Sequence, residues 1–268
     1  MTGLNKGRKL AEGKTKIIFE HPSDHSLVIV ENKDDITAGD GARRNVIEGK
    51  GAIACATACN CFRLLNARGI ATHFVKQLDE AHMLVKKCRM IPLEVVARRI
   101  ATGSFLKRNP GVSEGTRFDP LVIEFFLKDD ARHDPMISEG EIVGQAAAGQ
   151  AIASRTEVEL MKSILARVFL ELEKAWAGKD VALVDLKIEF GRTQNNELVV
   201  ADVIDNDSWR LWPHGEKKEM LDKQIYRNLP KESVNDEALG FLKQKYELVA
   251  QLTGDFVKNT NTVVLKYE

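Results

Sequence analysis

Two stretches near position 190 carry carboxylates at a spacing that suits a divalent cation. In residues 185–189 charged and apolar side chains alternate, and a strand would place Asp185, Lys187 and Glu189 on one face. A returning strand would bring Asp202 alongside, and like charges repel there unless a cation lies between them. Carboxylate oxygens suit Mg²⁺, so we predict Glu189 and Asp202 as its ligands. The alternative is a solvent-facing hairpin on which Lys187 neutralises its neighbours.

The segment Glu12–Lys16, with the sequence EGKTK, combines a glycine with two lysines directly before a predicted strand. Such a segment suits a loop that folds over a polyphosphate, because glycine lets the backbone approach and the ammonium groups balance charge. It is not a P-loop, since that motif would need glycine where the chain has Arg8. The alternative is a solvated turn with two surface lysines.

A third group of residues could hold an anion. Arg98 and Arg99 follow an apolar run, and residues 102–104, Thr-Gly-Ser, add hydroxyl and backbone N–H donors. Arg210 ends the polar run 205–210, and its guanidinium could bind a phosphate or carboxylate through two hydrogen bonds. The alternative for Arg98 and Arg99 is a role in salt bridges.

The elements that must position these residues follow from hydrophobic periodicity. The pattern predicts two lobes around a cleft, with Thr156 and Glu159 at the spacing of a helix capping box. Strands are predicted over residues 16–20, 27–31, 71–75, 83–88, 93–100, 181–190 and 197–204, with a helix as the alternative for 93–100. Helices are predicted over residues 47–65, one or two within 138–176, and 237–252.

Composition excludes several function classes. The 268 residues include 39 Lys+Arg and 39 Asp+Glu, and this zero net charge removes the field on which non-specific nucleic-acid binders rely. No stretch is apolar and long enough for a membrane span, and no secretory signal precedes the chain, so we expect a cytoplasmic protein. The cysteines and histidines lack zinc-site spacing, and GxSxG and GxGxxG motifs are absent.

Five motifs together resemble a known family. They are EGKTK at 12–16, ITAGDGARRN at 36–45, IATGSFLKRNPG at 100–111, LVDLKIEFG at 183–191 and ADVIDNDSWRLW at 201–212. In this order they resemble the phosphoribosylaminoimidazole-succinocarboxamide synthases, or SAICAR synthetases, over about Lys9 to Val249. The sequence looks closest to the animal-type branch. In animals an aminoimidazole ribonucleotide carboxylase domain is fused to this one, and a chain ending at Glu268 leaves no room for it, so we expect a monofunctional protein.

The resemblance implies a fold and a reaction. The fold would be a single domain over residues 1–268, with a β-rich lobe at about 1–90, a larger α+β lobe at 91–268, and ATP in a kinase-like cleft. The reaction would join 5-amino-1-(5-phosphoribosyl)imidazole-4-carboxylate (CAIR) to L-aspartate while ATP is cleaved to ADP and phosphate. An acyl phosphate would make the CAIR carboxylate reactive toward the amine. A homo-oligomer is expected at family level only.

The resemblance also implies roles for named residues. Lys16, Glu189 and Asp202 would be catalytic, the two carboxylates as ligands of Mg²⁺. Residues near ATP would be Gly13, Lys14, Thr15, Lys16, Met90 and Lys128. Residues near the other substrates would be Asp40, Arg43, Arg98, Ser104, Asp207 and Arg210.

Two other function classes stay open at this point. A kinase-like small-molecule phosphotransferase would use the same glycine, lysines and paired carboxylates, although no HRD or DFG sequence supports it. A nucleotide sensor without catalysis would bind ATP but release no ADP in response to aspartate.

Overall fold

The computed structural model describes residues 4–39, 41–144 and 151–257. The chain divides into two compact units. The first unit contains the described residues up to Lys87, the short segment Ile204–Asn206, and the residues from Lys223 onward. The second unit contains Cys88–Val203 and Asp207–Asp222.

The first unit contains seven strands in two antiparallel sheets. A five-stranded sheet has the order β1-β2-β3-β7-β6, and β4 pairs with β5 as a separate hairpin. Between β2 and β3, Asp24 accepts hydrogen bonds from the backbone N–H and the hydroxyl of Ser26, which closes the turn. The strands are β1 (Lys9–Glu12), β2 (Lys16–Glu20), β3 (Leu27–Asn32), β4 (Asp35–Ala38), β5 (Arg43–Val46), β6 (Phe74–Gln77) and β7 (His82–Lys86).

Three helices complete the first unit, namely α1 (Lys50–Ala67), α5 (Gln224–Asn228) and α6 (Asp236–Thr253). The start of α1 is capped from a distance, because the Asp34 carboxylate accepts hydrogen bonds from the Gly49 and Gly51 N–H groups. Helices α1 and α6 pack against each other, with Asn60 of α1 donating to Thr253 at the end of α6. The C-terminal helix is therefore part of the same core as the N-terminal sheet.

The second unit is built on a six-stranded antiparallel sheet. Its order is β10-β9-β8-β11-β12, and β13 pairs with the other end of β11. The long strand β11 therefore lies at the centre, with hydrogen-bonded neighbours on both edges. The strands are β8 (Arg89–Ile100), β9 (Arg117–Leu127), β10 (Met136–Ile137), β11 (Val181–Arg192), β12 (Leu198–Ala201) and β13 (Trp209–Pro213), and the helices are α2 (Ser104–Arg108), α3 (Glu139–Val143) and α4 (Arg155–Ala177).

Helix α4 covers one face of this sheet. Trp176 of α4 contacts the ring of Trp209, which lies opposite Leu186 of β11. Residues Leu186 and Ile188 are fully buried on this face. Since side chains alternate along a strand, the charged residues of β11 lie on the other face.

The predicted capping box of α4 is in the wrong place. Ser154, rather than Thr156, is the N-cap, and Glu157, rather than Glu159, returns the hydrogen bond. The helix begins one residue after Ser154, so Thr156 already lies inside its first turn. The Arg192 guanidinium, with the Ser154 donors, lowers the pKa of Glu157 to about 2.

Other expectations can now be compared with the structure. The α+β class is confirmed. Residues 223–257 lie in the first unit, because α6 packs on α1. The described part of the predicted helical stretch 138–176 contains α3 and α4, and the strand predicted at 71–75 begins at Phe74. Within the described residues, no helix is long and apolar enough to cross a membrane.

Glycine at position 51 is required by space. A Cβ there would lie 3.0 Å from the Asn32 carbonyl carbon and even closer to its oxygen, whereas a Cβ at Gly240 of α6 would meet nothing within 4 Å. We expect Gly51→Ala to lower the free energy of unfolding by about 1–3 kcal/mol through overpacking. The control Gly240→Ala should raise it by roughly 0.5–1 kcal/mol, because alanine is the better helix former. Denaturant titration of both variants tests this, and equal effects would contradict it.

Candidate active site

The uncovered face of the second unit's sheet carries charged residues from several strands. Residues directly opposite one another on antiparallel strands share a face. Asp185 of β11 lies opposite Arg98 of β8 and Arg210 of β13, and Glu189 lies opposite Glu94. The predicted alternation of Asp185, Lys187 and Glu189 is therefore correct. The solvent-facing alternative is not, because Asp185 and Glu189 are only 5% and 3% exposed.

Lys187 lies at the centre of three carboxylates. Its Nζ is 3.0 Å from Glu189 Oε1, 3.4 Å from Glu94 Oε1 and 3.9 Å from Asp202 Oδ2. Burial alone would lower the pKa of Lys187, but the negative charges of Glu189, Glu94 and Asp202 outweigh burial and raise this pKa well above its usual value. The lysine is thus a fixed positive charge that holds the carboxylates together.

Glu189 and Asp202, the two predicted Mg²⁺ ligands, lie in this group. The second Glu189 oxygen, Oε2, accepts a hydrogen bond from Lys128 Nζ at 2.6 Å. Asp202 directly follows β12 and has a φ of 63°, a left-handed conformation that aspartate tolerates better than most residues. The carboxylates of Glu94, Glu189 and Asp202 carry three negative charges. The ammonium groups of Lys187 and Lys128 carry two positive charges, so this group has one negative charge in excess. Among the described residues, no group of three or more His, Cys, Asp or Glu side chains could hold a metal by itself.

This donor set fits Mg²⁺ rather than a metal enclosed by protein. Mg²⁺ is commonly held by one or two carboxylates, with its remaining positions taken by phosphate oxygens and water. Glu189 and Asp202 supply two carboxylates, and the excess negative charge around Lys187 favours a cation. A polyphosphate ligand would supply the other oxygens.

A second charge network occupies the other end of this face. Arg98 donates to Glu124 Oε2 at 2.6 Å and to Asp185 Oδ2 at 2.9 Å, while Arg108 donates to the other Glu124 oxygen at 2.5 Å. Arg210 also donates to Asp185. Arg98 is 4% exposed, and both of its side-chain partners are carboxylates. Its contacts are thus the salt bridges given above as the alternative to anion binding. Three arginines share two carboxylates, which leaves one positive charge in excess.

The turn before α2 brings the predicted anion-binding residues together. Gly103 has a φ of 59°, and a Cβ there would lie 2.6 Å from the guanidinium of Arg210. The Arg210 guanidinium therefore lies directly against the turn that carries Ser104, the first residue of α2. Arg98 joins Arg210 through Asp185. Asp207 lies in the turn that leads into β13, two residues before Trp209.

In the first unit, the EGKTK segment forms the turn of the β1–β2 hairpin. The Gly13 N–H donates to the Lys16 carbonyl at 2.8 Å, and the Thr15 carbonyl accepts from the Lys33 N–H. Lys14 is exposed, and its Cε would lie 3.6 Å from a Cβ at Gly41, so it reaches the turn of the ITAGDGARRN motif. Two motifs that are distant in sequence therefore meet within this unit.

Two charged residues near these motifs have structural partners. Lys9 and Lys33 donate to the Glu12 carboxylate and lower its pKa to about 2. The Arg43 guanidinium donates to the Tyr226 and Leu229 carbonyls at the end of α5 and stacks over the Tyr226 ring. For Arg43 this is a helix-end contact that the sequence did not reveal, and its role toward substrate stays a prediction.

Two further predicted residues can be placed or set aside. Asp40 lies outside the described residues. Met90 is 42% exposed and lies opposite Gly191 near the start of β8.

Sequence reasoning missed Glu94, Glu124 and Arg108 as members of the site. The first two are single acids within apolar strand sequences, PLEVVA and LVIEFF. An acid is rarely placed in such a strand unless a cation pairs with it, and this signal could have identified both. Arg108 gives no such signal, because a basic residue at the end of a short helix is common.

The chain is similar to known proteins in both sequence and fold. A family model described as SAICAR synthetase matches residues 9–239. The chain belongs to the SAICAR synthetase family. A phosphoribosylaminoimidazole-succinocarboxamide synthase of Roseiflexus sp. (strain RS-1) is 58% identical over 254 residues, which cover 95% of this chain and 99% of that protein. A solved structure described as SAICAR synthetase (Type-2) in complex with ADP is 33% identical, with a TM-score of 0.77, and covers 91% of this chain and 96% of its own.

The expected kinship with the animal-type branch is not supported. A Caenorhabditis elegans protein named as a multifunctional protein is 46% identical over 251 residues, covering 93% of this chain and 59% of its own length. The Roseiflexus enzyme is more similar at 58%. The five motifs are thus characteristic of the family and did not identify a branch within it.

The Asp185 carboxylate is the link between Arg98 and Arg210. We expect Asp185→Asn to lower the free energy of unfolding by about 3 kcal/mol, because the change preserves shape but removes the shared negative charge, which leaves buried Arg98 with Glu124 alone and takes an ion-pair partner from Arg210. The control Glu159→Gln removes a partner of Lys162 on the surface of α4, at 3.5 Å, and should cost less than about 0.5 kcal/mol. Chemical denaturation measures both. Similar small losses would show that the Asp185 network does not stabilise the fold.

Proposed function

We propose that this chain is an ATP-dependent ligase that joins CAIR to L-aspartate, giving SAICAR, ADP and phosphate. The observation that carries the proposal is the pairing of Glu189 with Asp202 around Lys187, in a chain of the SAICAR synthetase family. The two carboxylates suit the metal-bound phosphates of a nucleotide. The second, arginine-rich network suits the phosphate of the other substrate.

The reaction needs ATP because a carboxylate is a poor electrophile. Transfer of the γ-phosphoryl group to a CAIR carboxylate oxygen would release ADP and form an acyl phosphate. The aspartate amine would then attack the carbonyl carbon and lose a proton as the amide bond forms. Phosphate would leave with the electron pair of the broken C–O bond, so the final products are SAICAR, ADP and phosphate.

Glu189 and Asp202 would hold Mg²⁺. The bound metal would neutralise negative charge on the phosphoryl oxygens. Lys187 keeps the two carboxylates in place through its contacts at 3.0 and 3.9 Å. Lys128 can exchange its hydrogen bond with Glu189 for one with a phosphate oxygen, since its side chain is 42% exposed. We assign it to ATP on this ground.

Arg98, Ser104 and Arg210 would bind the phosphate monoester of CAIR. Two guanidinium groups and a hydroxyl match a dianion, and the network already has one positive charge in excess. Glu124 accepts from Arg98, and Asp185 accepts from Arg98 and Arg210, and these contacts orient the two guanidinium groups. Asp207 stays a candidate for the same substrate.

In the first unit, Gly13, Lys14, Thr15 and Lys16 are proposed to contact ATP phosphates. Lys14 is exposed, and glycine at the hairpin turn exposes backbone to a ligand. Lys16 is proposed as catalytic because its ammonium group would stabilise charge on a transferred phosphoryl group. Met90 is proposed to contact adenine, because the residue is 42% exposed and has an adaptable apolar side chain. The same proposal places the reaction in the cytoplasm.

The direct test is an assay of ADP release from ATP and Mg²⁺ with CAIR, with and without L-aspartate, combined with mass detection of SAICAR. Aspartate-dependent formation of SAICAR is the expected result. ADP release with a hydroxyl acceptor instead would favour the phosphotransferase. ATP binding without turnover would favour the sensor.

The proposed metal ligand Asp202 yields a specific prediction. Asp202→Asn removes one negative charge but keeps a residue that tolerates φ near 60°, so the fold should persist. We expect kcat to fall at least about 100-fold, equivalent to ~2.7 kcal/mol of transition-state stabilisation, with partial recovery at high Mg²⁺. Asp180→Asn is the matched control, because Asp180 has a φ of 55° and lies on the exposed surface. Near-normal turnover of Asp202→Asn would remove Asp202 from the metal site.

A further inference from the structure

Lys50 is a charged side chain that the proposed mechanism leaves unused. It is the first residue of α1, and it is only 2% exposed. Within residues 4–39, 41–144 and 151–257, its ammonium group has no hydrogen-bond or ion-pair partner. Burying an ammonium group without a counter-ion is unfavourable, so its presence calls for a ligand or another compensation.

The ammonium group of Lys50 keeps only slight contact with solvent. Its Nζ is not among the side-chain atoms that are both fully enclosed and without a hydrogen-bond partner. Since the side chain as a whole is 98% buried, the little exposure that remains includes the ammonium group. The four-carbon stem is therefore packed in protein, and the ammonium group lies at the edge of the buried region.

The surroundings of Lys50 favour an external anion. The Asp34 carboxylate accepts hydrogen bonds from the Gly49 and Gly51 N–H groups on either side of Lys50, and it forms no ion pair with Lys50 among the described contacts. The start of α1 adds the positive end of an 18-residue helix to the charge of the ammonium group. The same sign of charge thus comes from the backbone and from the side chain.

The size of this charge indicates the kind of anion. One carboxylate would form a neutral pair with one ammonium group, whereas a phosphate dianion would leave a buried negative charge. In the second unit, by contrast, Arg98, Arg210 and Lys187 are already bound to carboxylates. A substrate with a carboxylate that takes no part in bond formation therefore finds an unused cation at Lys50.

We propose that Lys50 binds a carboxylate group of L-aspartate. This inference rests on the proposed function, in which L-aspartate contributes only its amine to the new bond and keeps both carboxylates. Lys50 is thus assigned to binding of the amine substrate, and ATP and CAIR are assigned to other residues.

Lys50→Met tests the proposal, because methionine keeps the buried stem and removes the charge. We expect KM for L-aspartate to rise about 10- to 100-fold, because one charge-assisted hydrogen bond is lost. KM for ATP and KM for CAIR should each change less than about threefold. The inhibition constant of succinate, which has both carboxylates but no amine, should rise in parallel. Lys50→Arg, which keeps the charge, should recover part of the affinity.

Stability separates ligand binding from a structural role. If Lys50 serves only the fold, Lys50→Met should lower Tm and leave KM for aspartate unchanged, which would overturn the proposal. If it binds ligand, the Tm without substrates should stay the same or rise, because a buried unpaired charge has been removed. Lys245→Met on α6, where the ammonium group lies over the Phe241 ring, is the control for loss of one lysine.

The outcome is distinguishable from failure of the proposed function. Wild-type protein that makes SAICAR, together with an unchanged aspartate KM in Lys50→Met, refutes the role of Lys50 alone. A selective rise in KM for CAIR would assign the ammonium group to the other substrate and refute the proposal as well. Wild-type protein that makes no SAICAR would refute the function itself.

Discussion

The second unit depends on compensation of charge across one face of its sheet. Asp185, Glu189 and Glu124 are each at most 5% exposed, and a carboxylate at that depth is tolerable only with cationic partners. Arg98 meets two of these acids and Lys187 contacts the third. Each acid has a second cationic partner, since Glu124 also accepts from Arg108, Asp185 from Arg210, and Glu189 from Lys128. The residues proposed for catalysis are thus also residues that hold the sheet together.

Strand β11 makes this compensation possible because it is paired along both edges. Its residues 181–186 pair with β13, and 189–192 pair with β12, while β8 runs along the opposite edge. A shift of one residue would move every charged side chain of β11 to the face covered by α4. The buried apolar residues Leu186 and Ile188 prevent such a shift, since they would then face the charged side. Hydrophobic packing on one face therefore determines the positions of the charges on the other.

Part of this arrangement could be predicted from the sequence. The alternation in residues 185–189 gave the correct face, and the motifs gave the correct family, because both depend on local spacing. The depth of burial could not be predicted, since it depends on which strands flank β11. Arg98 shows the same limit, because its two carboxylate partners come from strands β9 and β11, 26 and 87 residues away. The position of α6 against α1 was missed for the same reason: periodicity gives a helix but not its neighbour.

The charges along β11 also explain how one sheet face could serve two chemically different groups. The arginine network around Asp185 has an excess positive charge, and the group around Lys187 has an excess negative charge. Asp185 and Glu189 are four positions apart along the strand, which corresponds to about 13 Å. A phosphate monoester is favoured at the first end and a metal-bound polyphosphate at the second. A substrate with its phosphate at one end and its reacting carboxylate toward the other would be aligned by charge before any specific contact forms, and this polarity is built into the strand.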